Sequence, residues 1–136
     1  MTSYDEIWTT FLNNCKVSDL DLPQTNKAIY ESIRNAVMYM NNRLRTDLIC
    51  DDVKETLDKE ITQDHLLILA NYIRYIFLIN QKTYFENLWQ PFSKDVGLKN
   101  FSTQLNSLKS SIELQDKTID RLIMNTEVDF LWATLK

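Results

Sequence analysis

Apolar residues recur at intervals of three and four along most of the chain, and those recurrences mark out four helices. Tyr4, Ile7, Trp8, Phe11, Leu12 and Cys15 form the first stripe. It follows Ser3-Tyr4-Asp5-Glu6, a capping box in which the serine and the glutamate each satisfy an orphan amide of the first turn. A helix ending near Asn13 or Asn14 is expected. The pattern breaks from Lys16 to Gln24, where Val17-Ser18-Asp19-Leu20-Asp21-Leu22-Pro23 alternates as an extended linker would. The residue before a proline is pushed away from helical dihedrals, which supports the break. A second helix, capped by Thr25 or Asn26, reaches about Arg45 with Ile29, Ile33, Ala36, Val37, Met40 and Leu44 on one face.

The stretch from Thr46 to Ile61 has no such period. Between Asp51 and Glu60 only Val53 and Leu57 are apolar, and a short exposed helix or an irregular loop fits equally well. Thr62 then caps a third helix. Asp64 falls in its first turn, where negative charge is favourable, and Ile61 can staple onto Leu66. Leu66, Leu67, Leu69, Ala70, Ile73, Ile76, Phe77 and Leu78 cover more than one face, so this helix belongs at the centre of the bundle. It is expected to run to Trp89, with Gln90-Pro91 forcing a stop and a loop following from Pro91 to Phe101. A fourth helix spans about Ser102 to Asn125. Leu105, Leu108, Ile112, Ile119 and Leu122 hold its heptad positions, with Gln115 in the one remaining slot. Thr126 to Lys136 carry Phe130, Leu131, Trp132 and Leu135 without a clear cap. The expectation is an all-α fold, a small four-helix assembly with a long central helix, an extended linker and an apolar C-terminal tail. One domain would cover residues 1–125, and the tail, 126–136, would order on assembly.

Composition sharpens this picture by exclusion. The 136 residues include one glycine, Gly97, and two prolines, Pro23 and Pro91, where average usage supplies about 16 of the two types. Hairpin turns, bulges and phosphate-cradling loops draw on glycine for φ > 0, so sandwiches, barrels, Rossmann units and P-loops are poor fits. Hydrophobic residues at 44% and charged residues at 25% describe a globular chain rather than a disordered one. A net charge of −4 argues against a general nucleic-acid binder, which carries a basic footprint. Cys15 and Cys50 belong to no metal motif and read as two reduced thiols. The first residues lack the basic start and apolar run of a signal peptide. The most apolar segment, Leu66 to Ile79, contains Asn71 and Arg74 and is too short to cross a bilayer; no membrane is expected.

Candidate chemistry is sparse. His65 is the sole histidine, so a two-histidine metal site cannot form, and it reads as a helix-surface or satisfied core residue. Pairing it with Cys15 or Cys50 would make a nucleophile and base, but nothing marks an oxyanion loop or a nucleophile elbow. Asp19 with Asp21, and Asp51 with Asp52 and Glu55, lack the glycine and the spacing of a calcium loop and read as solvated acidic surface. No enzyme and no cofactor are expected. Acidity concentrates in residues 51–65, where six acids face Lys54 and Lys59. Lys82, Lys94, Lys99 and Lys109 instead lie among Tyr84, Phe85, Trp89, Phe92 and Phe101. Lysines interleaved with aromatics can stack single-stranded nucleic acid. A protein-docking patch is the preferred reading, since Glu86 and Asp95 dilute the field.

Several short runs resemble the head-tail connector, or adaptor, proteins of long-tailed bacteriophages. Glu86-Asn87-Leu88, Phe92-Ser93-Lys94-Asp95 and Phe101-Ser102-Thr103-Gln104-Leu105 resemble an "ENL" turn, a "KD" loop and the "NQL" entry to a long helix. Arg121-Leu122-Ile123 resembles that helix's terminal "RLI". Asp64-His65-Leu66-Leu67-Ile68-Leu69-Ala70 is similar to the entry of the central helix, with His65 in place of the usual acid. Tyr4-Asp5-Glu6-Ile7-Trp8, and Leu22-Pro23 leading into Ile29-Tyr30, also fit. The likeness spans most of residues 4–123; the aromatic pair that often follows "RLI" is shifted or absent.

The resemblance implies a structural virion protein of the neck, assembled in the host cytoplasm. Such adaptors are α-helical and form a ring, commonly twelvefold, under the portal. The implied partners are the portal protein, neighbouring subunits of the ring, and a stopper or tail-completion protein. DNA would pass through the lumen without specific binding, as an acidic chain suits. The candidate assembly interface comprises Trp89, Phe92, Lys94, Asp95, Phe101, Phe130, Leu131, Trp132 and Leu135. A small helical phage-encoded regulator or inhibitor of a host factor would share the composition and is the competing reading.

Overall fold

The computed structural model describes the backbone of residues 1–15, 22–92 and 98–135, and side chains outside 88–102 and 127–136. Among these residues four helices carry the fold: α1 (Tyr4–Asn14), α2 (Asn26–Leu44), α3 (Gln63–Phe92) and α4 (Leu98–Leu135). The first three start where local chemistry says they should. Ser3 Oγ accepts from Glu6 N at 3.1 Å and Thr25 Oγ1 from Ala28 N at 3.2 Å. Thr62 Oγ1 accepts from His65 N at 3.2 Å. Helix α2 stops at Arg45, whose φ of 58° is the left-handed conformation that ends many helices, here without the usual glycine.

Helix α3 is central. It packs against α1, α2 and α4. Ile7 and Phe11 of α1, Ile33, Val37 and Met40 of α2, and Ile119 and Ile123 of α4 join Ile68, Leu69 and Ile73 in one buried core. The Phe11 and Phe77 rings stack 5.8 Å apart. Three helix boundaries differ from expectation. Helix α3 runs through Pro91 to Phe92; proline has no N–H and removes one i→i−4 hydrogen bond, but in the last turn that break precedes only one further helical residue. Helix α4 opens at Leu98 and continues to Leu135, so the backbone of residues 126–135 extends the helix rather than leaving it. The former linker positions 16–21, and 93–97 of the former loop, lie outside the described residues.

Residues 46–61 are neither a short helix nor an irregular loop. They form an antiparallel hairpin, β1 (Cys50–Asp51) and β2 (Thr56–Leu57), with Cys50 opposite Leu57. Its turn works without glycine: Asp51 Oδ1 accepts from Val53 N and Lys54 N at 3.0 and 3.1 Å, and Glu55 takes φ 57°. The chain start completes the unit. Leu57 N donates to Thr2 O and Tyr4 N to Glu55 O, both at 2.8 Å, so residues 2–4 lie along the outer side of β2. Leu57 is fully buried and Thr2 nearly so, its Oγ1 accepting from Ile61 N at 2.9 Å.

Candidate assembly interface

Helices α3 and α4 run antiparallel, as their cross-helix partners show. Asn71 of α3 meets Gln115 of α4, while Gln81, Tyr84 and Phe85 face Gln104, Ser107 and Leu108. Helices α1 and α2 cover only the first half of α3; α2 reaches the level of Phe77 and Asn80. Beyond that level the two longest helices continue together as a two-helix arm. No described residue from Arg74 through Leu114 is buried. Among the described residues the buried core therefore ends within about a turn of the level that α1 and α2 reach.

A polar cluster marks this transition. Gln115 Nε2 donates to Asn71 Oδ1 at 2.7 Å and to Asn71 O at 3.2 Å, and Gln115 Oε1 accepts from Arg74 Nη1. Asn71 Nδ2 in turn donates to Leu67 O at 2.8 Å. Gln115 is 4% exposed. Burying such groups is tolerable only because each finds a partner, and the pairing fixes one register between α3 and α4.

The arm carries an apolar groove of about 430 Å³ between Gln81, Tyr84 and Phe85 on one side and Gln104, Ser107 and Leu108 on the other. Tyr84 is 66% exposed. Lys82 holds Glu86 at 3.3 Å along the arm, and Lys109 is exposed. A second groove, of about 380 Å³, lies between the first turns of α1 and α3. Asp5, Glu6, Thr9, Thr10 and Leu66 line it, so its rim is acidic.

The acids of the hairpin are not merely solvated. Asp52 accepts from Tyr4 Oη at 2.7 Å and from the Arg34 guanidinium, and Glu55 accepts from Tyr30 Oη. These bonds tie the turn to α1 and α2. Burial first, then the bond to Asp52, pushes the Tyr4 phenol far above its ordinary range; the bond to Glu55, then burial, pushes Tyr30 up to about 12. Burial raises the Cys50 thiol and pushes Cys15 up to about 11. Cys15 Sγ donates to Ala70 O at 3.6 Å. At neutral pH both cysteines are protonated thiols, the poorer nucleophilic form. His65 sits half-buried in the first turn of α3. Among the described residues no three His, Cys, Asp or Glu side chains gather to hold a metal, and no helix is long and apolar enough to cross a membrane.

The sequence-derived interface residues separate into two ends. The backbones of Trp89 and Phe92 close α3 and that of Phe101 opens α4, so these three sit at the tip of the arm. Phe130, Leu131, Trp132 and Leu135 lie on the last turns of α4, on the order of 40 Å from Phe101 at 1.5 Å per residue. The side chains of all seven, and Lys94 and Asp95 entirely, lie outside the described residues. The groove residues Gln81, Gln104 and Ser107 escape composition-based reading because they are polar and ordinary. Their signal is the position opposite Tyr84 and Phe85, which needs the antiparallel register.

Residues 1–128 match the YomZ prophage protein family. The chain is 60% identical over 131 residues to the "SPbeta prophage-derived uncharacterized protein YomZ" of Bacillus subtilis (strain 168), a match that covers 96% of this chain and 100% of that protein. No solved structure matches with significance. On a match that takes in every described helix in whole or in large part, the chain belongs to the YomZ prophage protein family.

Proposed function

We propose that this prophage protein is a structural component of the phage neck, forming a ring under the portal that extends the DNA channel and docks the stopper or tail. The observation that carries the reading is the arm. A chain of 136 residues commits the last turns of α3 and the first turns of α4 to a hairpin with no described buried residue. Two helices alone bury too little to gain much stability. Surface of that kind is retained for contact with other chains. The family membership supplies the phage context, and the connector-like runs at residues 86–88 and 101–105 fall on the arm. The net charge of −4 suits a lumen through which DNA slides without adhering.

Deleting the gene from an inducible prophage that carries it tests the reading. DNA-filled heads without attached tails are the expected particles, with tails accumulating separately. Purified wild-type virions should contain the chain in near-stoichiometric proportion to portal. Normal tailed particles from the deletion strain would overturn the proposal and favour the regulator reading.

A further inference from the structure

Helices α2, α3 and α4 bring three tyrosines and two carboxylates to one face of the body, and none of the five belongs to the arm. Tyr39 of α2 stacks on Tyr72 of α3 with ring centroids 6.0 Å apart. Tyr75, one turn along α3, meets both rings edge-on at 6.2 and 6.5 Å. Tyr72 is buried and Tyr75 half-buried, but Tyr39 remains 47% exposed, so the cluster presents open ring to solvent. Helix α4 borders it. Gln115 bonds to Asn71 and Arg74, which sets the next residue, Asp116, beside Tyr72 and Tyr75. Burial is the first cause that raises both phenols, and the Asp116 charge acts on each in the same sense. Asp120, one turn on, accepts from the Arg43 guanidinium at 2.9 Å. Asp116 is exposed and has no ion-pair partner among the described residues. We infer that this face docks a partner protein through an arginine side chain, its guanidinium lying on the tyrosine cluster and bonded to Asp116.

Charge and ring chemistry select this occupant. Asp116 and Asp120 against Arg43 leave one negative charge on the face, which repels a phosphate backbone or an acidic peptide and attracts a cation. The cations of the same helix do not quench it. Lys117 is two positions past Gln115, about 200° round the helix, and faces away from α3; Lys109 is two turns from Asp116, roughly 10 Å along the axis. Tyrosine rings attract cations over their faces. Arginine suits both features at once, because its planar guanidinium stacks on rings and meets a carboxylate through two parallel N–H groups, whereas a lysine ammonium is a strongly hydrated point charge. The Arg43–Asp120 pair shows the same chemistry on the neighbouring turn. A second copy of this chain is a poorer donor, since Arg34, Arg43 and Arg74 are already bonded internally, which leaves Arg45 and Arg121 to supply the group. The face is separate from the arm, so its partner does not depend on the neck role.

N-acetyl-arginine amide and N-acetyl-lysine amide are the probes, titrated into the isotope-labelled full-length chain at neutral pH and read by amide chemical shifts. The arginine amide should bind in the millimolar range and shift amides around Tyr39, Tyr75 and Asp116. It should bind about threefold more tightly than the lysine amide, and less tightly at high salt. Asp116→Asn, a change at an exposed carboxylate, should weaken it about three- to fivefold. Tyr39→Ala should weaken it about threefold, and both variants should keep wild-type circular dichroism. Shifts that are absent, that fall elsewhere, or that persist unchanged in Asp116→Asn would overturn the assignment. Equal binding of the lysine amide would do the same, because stacking of a guanidinium would then contribute nothing. Sedimentation velocity of the chain alone examines the second copy. Self-association that Asp116→Asn abolishes would give the face to another copy of this chain and overturn the partner proposed, whereas a sedimentation profile that Asp116→Asn leaves unchanged supports it.

Discussion

Gln115 stands where the heptad of α4 asks for leucine, and three polar groups of α3 face it: the Asn71 carbonyl, the Asn71 side chain and the Arg74 guanidinium. Leucine at 115 would match the stripe of Leu108, Ile112 and Ile119 yet remove the donor that Asn71 Oδ1 depends on. An unsatisfied buried acceptor costs about 1–3 kcal/mol, more than one added apolar contact at this half-covered seam returns. Gln115→Leu should therefore lower the urea midpoint, and Gln115→Leu/Asn71→Leu should recover most of the loss. If the single variant is as stable as wild type, the cluster contributes nothing beyond filling space. The cysteines give a second residue-scale test. Burial pushes the Cys15 thiol up to about 11 from its ordinary 9.0, and raises Cys50 in the same sense. Raised thiol values mean that the folded chain holds its protons more tightly. The associated stability is complete below about pH 9 and is lost as pH climbs toward the folded values. Urea unfolding at intervals from pH 7 to 10 should show a flat profile that then declines. In Cys15→Ala/Cys50→Ala the decline should be shallower, although the neutral-pH stability is lower from lost packing. An equally steep decline would assign the loss to the tyrosines instead, of which Tyr4 and Tyr30 are also raised.

At the scale of elements, the boundaries set by adjacent residues were legible and those set by distant ones were not. Ser3, Thr25 and Thr62 each announce a helix with a hydroxyl that reaches an amide three residues on; such caps need no tertiary partner. The hairpin at residues 50–57 could not be read in this way. Its strands are two residues each, and its stability comes from Thr2, Tyr4, Tyr30 and Arg34, up to fifty-five residues away. Glycine scarcity argued against any hairpin, and Glu55 simply accepts the left-handed conformation while bonded to Tyr30. The candidate site divides along the same line. Aromatic density pointed to the α3–α4 turn, whereas the groove itself depends on a register that no local run encodes. Arg45 offers the element-scale test. It is exposed, it ends α2 at φ 58°, and a non-glycine residue pays about 1–2 kcal/mol for that conformation. Part of the gain from glycine returns as entropy of the unfolded chain. Arg45→Gly should still raise stability by about 0.5–1 kcal/mol, seen as a higher urea midpoint at unchanged m. A lower midpoint would mean that the arginine side chain makes a contact worth more than the strain.

Among the described residues the molecule divides into a body with a buried core and an arm without one, and the two should be energetically separable. Every described buried residue lies at or before Ile73, or at or after Gln115. Between those limits Phe85, Leu105 and Leu108 are half-buried, Phe85 and Leu108 lining the arm groove, and none of the three belongs to the described buried core. Joining Gln81 directly to Leu108 through a four-residue glycine-containing turn respects the observed pairing, since these two residues already face each other across the arm groove. Short connections of that length are normal between antiparallel helices. The shortened chain should fold cooperatively, with a smaller m value because less surface is exposed on unfolding, and a stability within about 2 kcal/mol of the parent, given that only partly buried side chains are lost. In the parent, amide exchange along residues 81–87 and 103–110 should be faster than in the body, because local opening there disrupts no core packing. If the shortened chain is unfolded, or if the arm amides exchange only by global unfolding, the arm is part of the fold's stability rather than surface held for other chains.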